Sequence, residues 1–309
     1  MSFEFAKFEK YCHAHLDMLP NVYQYAIHSH STVIQFLLNT DLLLKLNQNR
    51  VKERFDLSKT VMDEHLYPHK WIKSTSMSSI YAFMTIMHNY DIPVDNLKML
   101  HVLDNIDVHF GKYNVFDEHF DLRFMYCCIA SLEIIDKICK DEKVKLKAQF
   151  IKNKHKSFAL EYIHSCQDIT GGYGFKSGTI VMEPHSGYTY CAIASLKLLK
   201  TEPLRKQKLL KWLVLRQQQD GGFQGRLNKA SDVCYGFWSG ASLEILNAPY
   251  YDKEKLLDFL LNAQSDLGGF GKIKESYPDP LHSYLGAIMT LMLMKNKKIV
   301  CLELNTFLF

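Results

Sequence analysis

Two kinds of apolar stretch alternate along the chain. The first is amphipathic, with a charged face, as in EPLRKQKLLKWLVLRQ (202–217). The second is apolar almost all round, as in YCAIASLKLL (190–199). A helix with one apolar stripe lies against a core, and a helix apolar on every side lies within one. The second kind recurs as YCCIASLEII (126–135), FWSGASLEIL (237–246) and, in worn form, LGAIMTLMLM (285–294). Its marker leucines are Leu132, Leu196, Leu243 and Leu291, at intervals of 64, 47 and 48 residues. A Gly-Gly-aromatic turn precedes three of these stretches, at 171–175, 221–223 and 268–270, and each turn follows a helix ending in Gln. The glycines are expected to serve as helix C-caps and tight-turn residues. One buried and one amphipathic helix per repeat predict an all-α fold, an α/α toroid with inner and outer helical rings. Apolar stretches at 31–45 and 76–88 would supply the early repeats, and no Pro- or Gly-rich linker interrupts residues 1–309, which read as one domain. An open solenoid of helical hairpins is the alternative.

Composition narrows the classes of function. Of 309 residues, 47% are hydrophobic, enough for a large core. The net charge of +4 comes from Lys and Arg that read as scattered, so nucleic acid is not an expected partner. The start shows no apolar signal core, and the longest nearly apolar stretch (284–294) is too short to span a bilayer. Eight cysteines without a CxxC pair favour free thiols in a reducing, cytoplasmic setting.

The chemistry-bearing residues share a register. Nine positions before each marker leucine stand Arg123, Gly187, Cys234 and His282; eleven before stand Asp121, His185, Asp232 and Pro280. Equal register in a ring of repeats means equal height, so these side chains should meet at one mouth. Residues two apart point roughly 200° apart on a helix. Asp232 and Cys234 can therefore face one ligand only if the helix begins there, with Asp232 in the loop or at the N-cap; Pro280 implies the same start before His282. Helix N-termini at the mouth would attract anions. Arg226 and Lys229, with His185, Tyr235 and Lys272, add a cationic set. Asp232, Cys234 and His282 are a plausible tetrahedral metal set with a fourth position open, the pattern of catalytic zinc. Taken singly, a buried cysteine is usually a small hydrophobe and a histidine a satisfied polar residue; Arg226 and Lys229 alone would be surface charges, and Trp238 core. No DxDD-type acidic motif supports terpene cyclisation.

The segment GRLNKASDVCYGFW resembles the signature of protein prenyltransferase β subunits, and MEPHSGYTYCAIASL, DLRFMYCCIASL and GGFGKIKESYPDPLHSYLGA are similar to three further segments of it. The resemblance spans most of residues 20–295. It implies catalytic zinc at Asp232, Cys234 and His282, and diphosphate contacts from His185, Arg226, Lys229 and Tyr235. It also implies a lipid pocket lined by Tyr126, Cys191 and Trp238, with Arg123 at the peptide side or cavity floor. Three positions resemble the type I geranylgeranyl-transferring branch. Leu281 precedes the zinc histidine where farnesyl-transferring relatives carry tyrosine. Lys272 stands where they carry a magnesium-binding aspartate. Thr32, with Phe36 one turn on, stands where they carry a pocket-closing tryptophan. That branch implies geranylgeranyl diphosphate as donor, CaaX-ending proteins as acceptors, an α subunit completing a heterodimer, and no requirement for Mg2+. The usual His-Gly-Gly is His185-Ser186-Gly187 here, and the Gly-rich turn before Arg123 is degenerate (DVHFGKYN, 107–114). A farnesyltransferase β subunit or a non-catalytic helical-repeat binding protein are the competing readings.

Overall fold

The computed structural model describes residues 3–22, 77–112 and 121–295. Among them the helices are α1 (Phe5–Val22), α2 (Met77–Asn89), α3 (Asn96–Lys112), α4 (Leu122–Ile138), α5 (Glu142–Ser165), α6 (Ser186–Leu198), α7 (Lys206–Val214), α8 (Val233–Ile245), α9 (Lys253–Asn262) and α10 (Pro280–Lys295). Two short antiparallel pairs, β1 (Lys176–Ser177) with β2 (Ile180–Val181) and β3 (Phe223–Gln224) with β4 (Ser231–Asp232), lie in the loops before α6 and α8.

Helices α2, α4, α6, α8 and α10 pack side by side in chain order and form the inner layer. Their composition explains the placement. In α6 every residue from Thr189 to Leu196 is buried, whereas α7 buries only Leu209, Trp212 and Leu213. All four marker leucines are buried on inner helices. The outer helices α5, α7 and α9 cover α4, α8 and α10 respectively, and α3 lies against α4 and α5.

The turn glycines do not cap the helices as expected. The C-caps are Cys166, Leu215 and Ala263, and the glycines follow five or six residues later. Gly171, Gly221 and Gly268 have φ of +108°, +89° and +108°, which L-residues rarely adopt. A Cβ there would also strike the backbone of Leu209, Lys255 and Lys7, in the first turn of α7, α9 and α1. The glutamine before each turn completes the joint. Gln167 and Gln217 each donate from Nε2 to the turn's own glycine carbonyl, Gly171 (2.9 Å) and Gly221 (3.0 Å). Their Oε1 atoms accept from the N-cap residues of the next outer helix, Arg205 (3.2 Å) and Asp252 (2.8 Å). Gln264 repeats the joint with Gly268 (2.9 Å), but its next outer helix is α1, reached through the Glu4 N–H at 3.0 Å. The N-terminal helix thus occupies the outer position that follows α9, and Phe3 and Phe8 pack on Phe270 of the last turn.

No helix among the described residues is long and apolar enough to cross a membrane.

Candidate metal centre and anion site

The inner helices begin alike. Asp121, His185 and Asp232 are N-caps in extended conformation, each accepting from the N–H two residues on: Arg123 (2.8 Å), Gly187 (3.1 Å) and Cys234 (2.9 Å). Helix α10 begins at Pro280, and Asp279 accepts the N–H of His282 at 3.0 Å. The loops stitch these starts together: the N–H of Ser186 donates to Gly225 C=O (2.8 Å) and that of Val233 to Lys272 C=O (3.0 Å). Side chains continue the chain of contacts from α4 through α6 and α8 to α10. Arg123 lies over Tyr188 at 5.4 Å, His185 meets Tyr235, and Asp232 meets His282. The shared register therefore does place these residues at one end of the inner layer.

Asp232, Cys234 and His282 offer one oxygen, one sulfur and one nitrogen, all within 4.8 Å of one another. Because Asp232 caps the helix rather than belonging to it, its carboxylate and the Cys234 thiol fall on the same side. His282 Nδ1 lies 2.5 Å from Asp279 Oδ2, which turns Nε2 to within 3.1 Å of Asp232 Oδ1. A carboxylate on the outer ring nitrogen is the usual support of a metal-binding histidine. Burial favours neutral His282, yet bonds to Asp232 and Asp279 outweigh it and raise its pKa to about 9. Burial also opposes the Asp232 carboxylate, but bonds from His282 and Cys234 hold it below the usual carboxylate range. Burial, then the Asp232 charge, pushes the Cys234 thiol up. An imidazolium here balances two carboxylates beside a protonated thiol. A divalent cation would take its place and stabilise the thiolate. The donor set fits zinc: N, O and S ligands, a second carboxylate behind the histidine, and three protein ligands rather than four.

The anion side is built on His185. Its Nδ1 accepts from Gly187 N–H, so Nε2–H donates to Tyr235 Oη at 3.1 Å and leaves the phenolic proton free to donate outward. Burial, then Arg226 and Arg123, lowers the His185 pKa, while burial raises that of Tyr235 to about 12. Both are neutral donors near pH 7. Arg226 is half exposed, 3.7 Å from Glu183, and Lys229 is exposed on the same loop. Lys272 departs from the simple cationic set: its Nζ lies 3.6 Å from Asp232 Oδ2, against the metal triad itself. Arg123 is bound to Asp121 at 2.6 Å with 61% of its side chain exposed, at the mouth rather than on a cavity floor.

Tyr126 and Cys191 are buried and Trp238 is half-buried. Tyr190 lies between the two aromatic residues, 6.1 Å from Tyr126 and 4.9 Å from Trp238, and Tyr81 Oη reaches Tyr126 Oη at 3.3 Å. One aromatic row thus crosses α2, α4, α6 and α8. Leu281, half-buried, occupies the first turn of α10. Thr32 and Phe36 lie outside the described residues. The Ser186 hydroxyl, where a glycine was expected, is buried between Ser239 Oγ (2.9 Å) and Gln224 C=O (3.4 Å), so it ties α6 to α8 and β3.

Four participants escaped the sequence reading. Asp279 was signalled by an acid directly before the helix-starting Pro280. Tyr190 stands six residues before its marker leucine, as Tyr126 does. Gly225 is required sterically, since a Cβ there would lie 2.2 Å from the Tyr235 ring. Glu183 carried no signal in the register.

Comparison with known proteins agrees with this architecture. The chain is 37% identical over 179 residues to the geranylgeranyl transferase type-1 subunit beta of Arabidopsis thaliana, covering 54% of this chain and 44% of that protein. It is 36% identical over 132 residues to the protein farnesyltransferase subunit beta of Pisum sativum, covering 42% of this chain and 28% of that protein. The matched stretches thus span less than half the length of these curated relatives. The solved structure of Candida albicans protein geranylgeranyltransferase-I complexed with GGPP superposes with a TM-score of 0.73 at 23% identity, covering 98% of this chain and 95% of that one, a likeness of fold. The prenyltransferase alpha-alpha toroid domain matches residues 3–308, and the chain belongs to that family.

Proposed function

We propose that the chain is the catalytic β subunit of a heterodimeric, zinc-dependent protein geranylgeranyltransferase type I. It would transfer a 20-carbon geranylgeranyl group from geranylgeranyl diphosphate to the cysteine thiol of CaaX proteins ending in Leu or Phe. One observation carries the reading: the Asp232, Cys234 and His282 donor atoms converge within 4.8 Å at the mouth that also holds His185 and Tyr235. Zinc held by these three residues would favour the thiolate form of the acceptor cysteine near neutral pH. Cys234 is then a ligand, not a nucleophile. A carbon–sulfur bond forms, the carbon–oxygen bond to diphosphate breaks, and the thiol proton is lost to solvent.

The residues of this chain serve the leaving group. His185 holds the Tyr235 oxygen so that its O–H donates to the diphosphate, and Arg226 and Lys229 add charge from the 225–229 loop. Loss of one donor aimed at developing charge costs about 3–4 kcal/mol of barrier. Arg226 must first leave Glu183. Lys272 supplies a fixed positive charge where a farnesyl-type enzyme would use magnesium, which supports a reaction without Mg2+. The row of Tyr126, Tyr190 and Trp238, with Cys191, would line the lipid path, where each buried CH2 contributes about 0.8 kcal/mol. Relatives of both branches match this chain, so the 20-carbon donor rests on Lys272, Leu281 and Thr32. An α subunit and a cytoplasmic setting follow from the same reading.

The test is co-expression with an α subunit, with both prenyl diphosphates assayed against CaaX peptides ending in Leu or Ser, with and without magnesium. The expected result is magnesium-independent transfer of the 20-carbon group to the Leu peptide, abolished by Cys234→Ala or His282→Ala. Preference for the 15-carbon donor with magnesium dependence would establish the farnesyl reading. Full activity without Cys234 would overturn the metal assignment, and absence of zinc and of transfer would leave a helical-repeat binding protein.

A further inference from the structure

Helix α5 buries one stripe, Val144, Ala148, Ile151, Ala159 and Ile163, and turns the opposite face to solvent. That outer face is unlike the rest of the chain. Helix α5 carries six lysines (143, 145, 147, 152, 154 and 156) against Glu142 and Glu161, a net charge of +4 that equals that of the whole chain, and Lys137 and Lys140 add two more cations just before it, at the end of α4 and in the connecting loop. The even scatter of charge expected from the sequence does not hold here. Three of the lysines are neutralised within the protein: Lys147 by Asp104, Lys154 by Asp107 and Lys152 by Glu133. The other five, Lys137, Lys140, Lys143, Lys145 and Lys156, have no ion-pair partner among the described residues. The cations crowd one another. After its own burial, Lys200 and Lys156 are what push the Lys152 ammonium toward a lower pKa.

In the middle of this face stand Leu146 and Phe150, one turn apart and 63% and 65% exposed. Lys143 precedes the pair by three residues on the same helical stripe, Lys154, paired with Asp107, follows it by four, and the unpaired Lys145 and Lys156 flank the stripe roughly 100° to one side. An apolar pair framed by long basic side chains matches the interface of an anionic bilayer. The apolar groups enter the headgroup boundary while the ammonium groups meet lipid phosphates and carboxylates. A duplex nucleic acid would use the charge but not the exposed Leu146 and Phe150. At 24 residues, α5 is about 36 Å long and lies along the outside of the layer, so its face can rest flat on a surface.

We propose that the outer face of α5 docks on the anionic surface of a lipid bilayer, with Leu146 and Phe150 inserted and the unpaired lysines contacting headgroups. This does not rest on the prenyl-transfer reading. The test is co-sedimentation of the full chain, alone and with a co-expressed α subunit, with vesicles of phosphatidylcholine alone or containing phosphatidylserine. Binding is expected only to the phosphatidylserine vesicles, weakening as salt rises. Changing Lys143, Lys145 and Lys156 together to Gln should weaken it on the order of 100-fold, about fivefold per lysine. Leu146→Ser with Phe150→Ser should weaken it at unchanged charge, with thermal stability preserved in both variants. Equal binding to both vesicle types, or binding untouched by the lysine substitutions, would overturn the proposal. So would loss of vesicle binding whenever the α subunit is present, since the face would then be a protein interface.

Discussion

Replacing Asp279 by Asn separates what this residue does for the helix from what it does for His282. Asn is as good an N-cap as Asp, so the bond to the His282 N–H is retained and the fold should lose little. What goes is the negative charge 2.5 Å from His282 Nδ1. With that charge, metal-free His282 keeps its proton to about pH 9, while burial beside Asp232 keeps the Cys234 proton as well. Zinc must displace both, so below pH 9 the affinity of the unaltered protein should rise about 100-fold per pH unit, tenfold per proton. In the Asn variant the His282 pKa falls, and through pH 7–9 the slope should drop toward tenfold per unit. Loss of a carboxylate behind a ligating histidine also weakens metal by about 10–100-fold, or roughly 1.4–2.7 kcal/mol. Asp279→Ala should share that loss and shed about 1 kcal/mol of stability from the missing cap. Zinc competition with a chromophoric chelator across pH 6–9, alongside thermal unfolding, reads both quantities. Unchanged affinity and slope in the Asn variant would refute the role assigned to Asp279.

Without metal, the raised pKa of His282 also makes stability depend on pH. The contribution is complete below about pH 6.5 and is lost as pH rises through about 9, at most roughly 3 kcal/mol; denaturant titrations of chelated protein at pH 6 and 9 should differ by that sense, and saturating zinc should reverse the trend, because the zinc-loaded site holds neither proton. Gly225→Ala would drive a methyl group into the Tyr235 ring, at a cost of about 1–3 kcal/mol, and break the bond to His185. Its rate of transfer should then fall about as far as that of Tyr235→Phe, measured at saturating acceptor. Gln264→Ala removes bonds to Gly268 and Glu4, about 1–3 kcal/mol in all, and should release α1 to limited proteolysis before the remainder unfolds.

What was legible in the sequence was whatever the repeat expressed as spacing. Two helical classes, their layers, and the common height of His185, Asp232, Cys234 and His282 follow from counting back from buried leucines. The N-cap position of Asp232 follows from the angle between residues two apart. What escaped depends on joints between repeats. The glycines were read as helix caps because Gly after a helix usually is one, but here the Gln side chain between helix and turn takes up the glycine carbonyl and the next helix start. That α1 fills the outer position beyond α9 is invisible locally, since Gln264 and Glu4 are 260 residues apart. Lys272 reads in the sequence as one more cation of the set; its carbonyl on Val233 N–H pins the loop and brings the ammonium to Asp232. The same bond bears on function. It joins the start of α8, which carries Asp232 and Cys234, to the loop leading into α10, which carries His282. Any change that loosens residues 270–279 should therefore weaken the metal set and displace Lys272 together, so the metal site and the Lys272 charge are expected to fail as one unit, while His185 and Tyr235 keep their own bonds.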